Sequence, residues 1–264
     1  MTQLPINWMQ FKGGPGHAVA LHCGLAHGGA WHGVAGHLTD QVTVRAPDLP
    51  GHGRSPDWDG QGDVAHRIID AISSSILPNT HLIGHSFGAV LALRLAQILP
   101  ERVTSLTLIE PVLFAAARIN DPEAFAAYEQ RAAPFAEAIK KNAWEDAARK
   151  FTGLWGTGER WESLPLEQRD RMTRQMRMIA GSQSCVMEDS LQMLDPNALA
   201  TCRMPVLLMR GQATDPILSA IQTALLAKLP NARETVIAGA GHMVPISHPD
   251  QVGPVIGRHI VSAF

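Results

Sequence analysis

The residues Gly84-His85-Ser86-Phe87-Gly88 stand between an apolar run, His81 to Ile83, and a helix-period segment closed by Pro100. This is Gly-x-Ser-x-Gly at a strand-to-helix turn, a setting in which a serine hydroxyl becomes a nucleophile. Glycines at 84 and 88 let the flanking backbones pass without a Cβ clash, which forces Ser86 into a strained, exposed position. The free N–H groups and dipole at the start of the following helix favour negative charge that develops beside it. A serine hydroxyl attacks only with a base within hydrogen-bond reach, so the chemistry needs one of the twelve histidines. His22, His27, His32 and His37 recur every five residues, a spacing that could suggest a metal site. Five residues turn a helix by roughly 500°, well off one face. In a strand the odd spacing puts alternate members on opposite faces. No cysteine or carboxylate joins them at zinc-like spacing, so no metal is expected. They read as loop and surface histidines, with His27 a candidate for a pocket rim. Cys23 reads as a small buried residue rather than a second nucleophile.

The elements that must position Ser86 follow from periodicity. Residues 5 to 11 suggest an edge strand, and His17 to His22 a buried one that runs into the glycine-rich stretch Cys23 to Gly29. Trp31 to Leu38 reads as helix, Val42 to Arg45 as strand, and Asp48 to Ser55 as a turn. Asp63 to Ile76 carries a helical stripe of Val64, Ile68, Ile69 and Ile72. After the Ser86 turn, Val103 to Ile109 is again a strand. Strand and helix alternate, which predicts an α/β fold: a mostly parallel, doubly wound sheet with helices on both faces and reacting groups at the carboxyl ends of its strands.

From Pro111 to about Thr201 the alternation stops. Phe125, Tyr128, Ala132, Phe135 and Ile139 share a helical face, as do Met172, Met176 and Ile179, and Met187, Leu191 and Leu194. These predict a helical cap over 112–201, inserted into a core domain formed by 1–111 and 202–264. Its methionines are expected in the packing and in an adaptable apolar pocket. The sheet resumes at Val206 to Met209, with a helix from Leu218 to Leu229, a last strand from Arg233 to Ile237 and a closing helix from Gln251 to Ser262.

Composition excludes several classes of function. The chain has 264 residues, 45% of them hydrophobic, and a net charge of −2. With no basic or acidic block, it offers nothing to a phosphate backbone, and no nucleic-acid partner is expected. Three scattered cysteines suit a reducing compartment better than a disulfide framework. The N-terminus lacks the basic and apolar regions of a secretory signal, and no window reaches the apolar length of a membrane span. The expectation is a cytoplasmic protein without a membrane partner.

Four blocks together resemble the α/β-hydrolase superfamily, in particular its small cap-bearing members, over essentially the whole length. They are Leu21-His22-Cys23-Gly24-Leu25 through Trp31, Asp48-Leu49-Pro50-Gly51-His52-Gly53-Arg54-Ser55, the Ser86 turn, and Gly239-Ala240-Gly241-His242-Met243-Val244-Pro245. The resemblance implies a serine, an acid and a histidine in that chain order, with Ser86 the nucleophile and His242 the base. His248 is the fallback base. It places the acid at Asp215, although the run from Gly211 to Asp215 is one residue longer than the common pattern. Glu110, in Leu108-Ile109-Glu110-Pro111, is the alternative. It implies an oxyanion hole from the backbone N–H of Phe87 and one from the loop after the first strong strand. Where the family usually has His-Gly, this chain has His22-Cys23. Counted from Trp31 the second donor is Gly24, and counted from the glycine it is Leu25, with Gly24 preferred.

What the resemblance implies is a cofactor-independent serine hydrolase that acts on a small carboxylic ester, lactone or thioester through an acyl-enzyme. Hydrolysis of a carbon–carbon bond or acyl transfer by the same residues are alternatives, since specificity lies in cap side chains. Relatives that displace halide or open epoxides carry aspartate where this chain has Ser86, which disfavours those reactions. A ligand-binding protein that kept only the fold is the reading from a different class. In every case the expected partner is a small molecule.

Overall fold

A computed structural model describes residues 4–156 and 158–263. One seven-stranded sheet is formed by β1 (Trp8–Phe11), β2 (Gly16–Leu21), β3 (Val42–Pro47), β4 (Thr80–His85), β5 (Val103–Ile109), β6 (Val206–Gly211) and β7 (Ala232–Ile237), with the central strands short apolar runs buried on both faces and the edge strands β1 and β7 largely uncovered. Their order is β1-β3-β2-β4-β5-β6-β7. Only β1 runs antiparallel, paired to β3 with Trp8 opposite Pro47. It is shorter than the expected 5 to 11 because Asn7 is used elsewhere. Asn7 binds the 48–55 turn, accepting from Asp48 N at 2.9 Å and donating to Ser55 Oγ at 2.9 Å and Asp48 Oδ2 at 2.8 Å.

Helices cover both faces, as a parallel sheet requires. They are α1 (His32–Gly36), α2 (Val64–Ser73), α3 (Phe87–Ile98), α4 (Phe114–Asn120), α5 (Pro122–Lys140), α6 (Trp144–Trp155), α7 (Leu166–Gly181), α8 (Gln183–Glu188), α9 (Pro196–Ala200), α10 (Pro216–Lys228), α11 (Val244–Ser247) and α12 (Pro249–Val261). One core packs α1 and α12 on the sheet through Val34, Leu38, Val252, Ile256 and Ile260. The other packs α2, α3 and α10, with the helices between β5 and β6, through residues such as Ile68, Ile72, Leu91, Ile221 and Met176. Asp63 caps α2 by accepting from His66 N at 2.8 Å, so its stripe starts where the sequence places it.

Two sequence expectations need correction. Trp31 to Leu38 is not one helix: a 3-10 turn, Gly28–Trp31, precedes the five-residue α1. The stripe of Met187, Leu191 and Leu194 spans a helix end. Asp189 turns left-handed at φ 55, ψ 48. Its carboxylate accepts from Met193 N and Leu194 N, both at 2.8 Å, so the chain leaves the helical path although the spacing continues. Among the described residues, no helix is long and apolar enough to cross a membrane.

Candidate active site

The turn from β4 to α3 holds Ser86 at φ 56, ψ −119, a conformation that L-residues adopt only under constraint. The constraint is steric. A Cβ on Gly84 would meet Gly88 O at 2.4 Å, and one on Gly88 would meet Leu21 O at 2.2 Å, so β4, α3 and β2 approach this closely only because both residues are glycine. Ser86 N donates to Ile109 O at 2.9 Å, which fixes the turn to β5.

His242 lies in the loop between β7 and α11, and its Nε2 is 3.1 Å from Ser86 Oγ. Its Nδ1 is 3.1 Å from Glu110 Oε2. With Glu110 ionised, Nδ1–H donates to the carboxylate, which leaves Nε2 to accept from the serine hydroxyl. His85, on β4, orients the loop: its Nε2 donates to the His242 carbonyl at 2.8 Å. Trp155, the last residue of α6, packs its ring 5.0 Å from that of His242.

The preferred acid position is corrected by this geometry. The Asp215 carboxylate is not at the imidazole. It accepts from Arg131 Nη2 at 2.6 and 2.7 Å and caps α10 by accepting from Ile217 N at 3.0 Å. Glu110 takes the place instead, directly after β5, fully buried and at φ 50. The loop after β6 serves this carboxylate rather than supplying its own: Gly211 N donates to Oε1 at 2.6 Å and the Thr214 hydroxyl to Oε2 at 2.5 Å. The extra residue in the Gly211 to Asp215 run puts Thr214 inward and Asp215 outward. The fallback His248 is also displaced, half-buried and paired to its neighbour Ser247 at 2.7 Å.

Gly24 and Leu25 differ in where their N–H groups go. Leu25, at φ 64, donates to His52 Nε2 at 3.0 Å and has no N–H to spare. The N–H of Gly24 has no partner among the described residues, and Gly24 lines the cavities on both sides of Ser86. Phe87 N–H opens α3, where no intrahelical acceptor exists. Cys23, beside them, is 2% exposed, and burial pushes its thiol up to about 12, so it stays protonated and unreactive.

The histidines of the first two blocks have structural duties that their sequence did not disclose. His22 Nδ1 donates to Cys23 O at 2.7 Å and its Nε2 accepts from Leu49 N at 2.9 Å. His52 Nδ1 donates to Pro50 O at 2.8 Å and, as noted, its Nε2 accepts from Leu25. Both roles require the neutral ring. Burial, with the neighbouring His52, lowers His22 to about 3. Burial lowers His52 to about 4, and burial together with His242 lowers His85 to about 3.

Acid sensitivity follows. Unfolded histidine titrates near 6.5, so below that pH the unfolded chain binds protons that these three folded side chains refuse. Their contribution is complete above about pH 6.5 and is lost as pH falls towards 4, at about 1.4 kcal/mol per histidine and pH unit. Three such groups remove about 4 kcal/mol per unit, against a total of about 5–15 kcal/mol. We expect cooperative acid unfolding, followed by circular dichroism, between about pH 5.5 and 4. A midpoint below pH 3 would mean that these rings accept protons in the folded state.

Two cavities meet at Ser86, sharing Gly24, Phe151 and Trp155. The outer one, about 180 Å³, runs between Met243 and the polar residues Glu159 and Gln168. The inner one, about 50 Å³, is walled by Val112, Phe114, Tyr128, Phe135 and Ile179. Phe114 and Tyr128 stack with ring centroids 4.4 Å apart, which stiffens this wall. Of the helical faces read from the sequence, Tyr128, Phe135, Met172 and Ile179 line these cavities. The sequence does not mark the roles of Trp155, His85 and Thr214: Trp155 belongs to no helical stripe, His85 fills a variable position of the Gly-x-Ser-x-Gly turn, and Thr214 lies in an irregular loop. His27 lines a different cleft.

Residues 18–254 match the family described as "Alpha/beta hydrolase family". A pimeloyl-[acyl-carrier protein] methyl ester esterase from Aeromonas hydrophila is 27% identical over 263 residues, 96% of this chain and 97% of that protein. A protein of the same description from Methylococcus capsulatus is 36% identical over 151 residues, a match that spans 55% of this chain and 56% of the relative. Among solved structures, an enol-lactonase from Burkholderia xenovorans superposes with a TM-score of 0.70 over 97% of this chain and 96% of its own, at 16% identity. That likeness concerns the fold.

Proposed function

The chain belongs to the alpha/beta hydrolase family, and from that premise we propose a serine esterase whose nucleophile is Ser86, whose base is His242 and whose acid is Glu110. The observation that carries the reading is the continuous relay from Ser86 Oγ to His242 Nε2 at 3.1 Å and from His242 Nδ1 to Glu110 at 3.1 Å, opening on a cavity. As Ser86 attacks the ester carbonyl, His242 takes the hydroxyl proton and Glu110 stabilises the imidazolium. The oxyanion is met by the N–H groups of Phe87 and Gly24. His242 then returns the proton to the departing alkoxide. A water molecule, deprotonated by the same ring, cleaves the acyl-enzyme and frees the acid. The chemistry is that of an α/β-fold hydrolase, and it draws on no metal or organic cofactor.

The two cavities suggest which esters fit. The inner pocket of about 50 Å³ holds only about four water-sized groups, and its wall is aromatic and aliphatic. It suits a small alkoxy group, with the longer acyl chain in the outer cavity. The Aeromonas relative that this chain matches almost end to end is a methyl ester esterase by name, which agrees with that size.

Two measurements test the reading. A fluorophosphonate probe should label the protein stoichiometrically and fail on Ser86→Ala. Absence of labelling in a folded, unaltered protein would favour a ligand-binding role instead. Across alkyl esters of one short acid, kcat/KM should fall by about tenfold or more from methyl to butyl, since overfilling a packed pocket costs about 1–3 kcal/mol. A flat or rising series would put the acyl chain in the inner pocket.

A further inference from the structure

A second cleft, about 600 Å³, opens on the other side of Leu25, which lines both it and the cavity at Ser86. Helix α7 forms a shared wall. Gln168 and Met172 face the Ser86 cavity, and Arg171 and Gln175, on the adjacent stripe, face the cleft. The cleft is rich in donors. The guanidinium groups of Arg54 and Arg171 have no hydrogen-bond or ion-pair partner among the described residues. His27 Nδ1 accepts from Gly29 N at 3.0 Å, which leaves the ring proton on Nε2 as a third donor.

The carboxylate that lines the cleft pairs with neither guanidinium. Asp48 is 1% exposed, and its oxygens are taken by Gly28 N at 2.7 Å, Asn7 Nδ2 at 2.8 Å and Arg54 N at 2.9 Å. Those backbone donors outweigh burial and hold its carboxyl below the usual range, so it stays ionised and committed. Gln175, 2% exposed, donates to Gly51 O at 3.1 Å, which ties α7, the helix of Arg171, to the turn that carries Arg54.

We propose that this cleft binds a carboxylate or phosphate group at the far end of the ester substrate, on a chain that leaves the Ser86 cavity past Leu25. The inference rests on the esterase reading and adds a substrate class to it: esters with a small alcohol at one end and an anion at the other. Unpaired guanidinium groups recognise carboxylate and phosphate oxygens in two-pronged fashion.

The test compares monomethyl esters of linear diacids with methyl esters of fatty acids of equal length, at low salt. The expected result is a kcat/KM about tenfold higher for the anionic series beyond a threshold length, carried by KM. In Arg54→Gln/Arg171→Gln the preference should vanish, while turnover of methyl butyrate is unchanged. Equal turnover of both series, or a preference that survives in the double variant, overturns the proposal. Failure of the esterase reading is seen separately, as loss of methyl butyrate turnover and of fluorophosphonate labelling in the unaltered protein. Inorganic phosphate separates the two sources of anion. Competition against the long anionic esters alone supports a substrate end. A phosphate effect on methyl butyrate that depends on Arg54 and Arg171 shows a free anion acting on the site and overturns the assignment to substrate.

Discussion

Glu110→Gln lowers kcat for methyl ester hydrolysis by about 10⁴, and Asp215→Asn leaves it within about threefold. The first figure follows from what the carboxylate does to the ring. Glu110 accepts from His242 Nδ1 and is itself held by Gly211 N and Thr214. An amide at 110 can present N–H to the imidazole, which shifts the ring proton to Nε2 and removes the acceptor that Ser86 needs. The substitution also leaves the imidazolium uncompensated when the proton moves. Asp215→Asn touches neither event. Asparagine caps a helix about as well as aspartate, so α10 keeps its start. The pair with Arg131 is partly exposed, at 43% and 25% of the two side chains, and its loss costs no more than about 1 kcal/mol. In thermal melts the Asp215→Asn shift should stay within about 4 °C. Activity retained in Glu110→Gln and lost in Asp215→Asn would return the acid to position 215.

The largest effect belongs to the nucleophile. Ser86→Ala should reduce kcat by about 10⁵ to 10⁶, with His242→Ala nearly as severe and the double substitution hardly worse, since the two act as one unit. A companion variant separates chemistry from architecture. At φ 56, ψ −119, residue 86 carries about 1–3 kcal/mol of backbone strain. Glycine relieves it at about 0.5–1 kcal/mol of added chain entropy. Ser86→Gly should therefore be inactive and melt a few degrees higher, whereas Ser86→Ala, still strained, should melt close to the unaltered protein. A Ser86→Gly protein less stable than Ser86→Ala would show that the turn is not strained. Independent additivity of the Ser86 and His242 effects would show that they do not share a proton.

The serine and histidine positions were readable because their signals are local. Gly84 and Gly88 mark a turn that only a strand and helix in close approach demand, and His242 sits in a short glycine-flanked loop directly after a strand. The inner wall was partly readable, since Tyr128 and Phe135 share a helical face. Trp155 was not, because it ends α6 and belongs to no stripe. The Met187, Leu191, Leu194 spacing misled because periodicity cannot see Asp189 turning left-handed. Gly24 and Leu25 could not be separated by counting, because what distinguishes them is the N–H contact of Leu25 with His52, 27 residues away.

By itself the sequence determined most of the order of strands and helices and singled out Ser86 and His242, which the fold brings to 3.1 Å, because each is written in a few consecutive residues. Which carboxylate stands at the imidazole was decided by tertiary structure alone. β5 and β6 are parallel neighbours with Ile109 opposite Met209, so Glu110 and the Gly211–Asp215 loop arrive at the same edge of the sheet. Paired strands lie only about 4.8 Å apart, which brings a carboxylate from either within reach of one imidazole. Which of them turns inward depends on how the longer loop closes: here Thr214 faces Glu110, and Asp215 turns away to Arg131 and the start of α10.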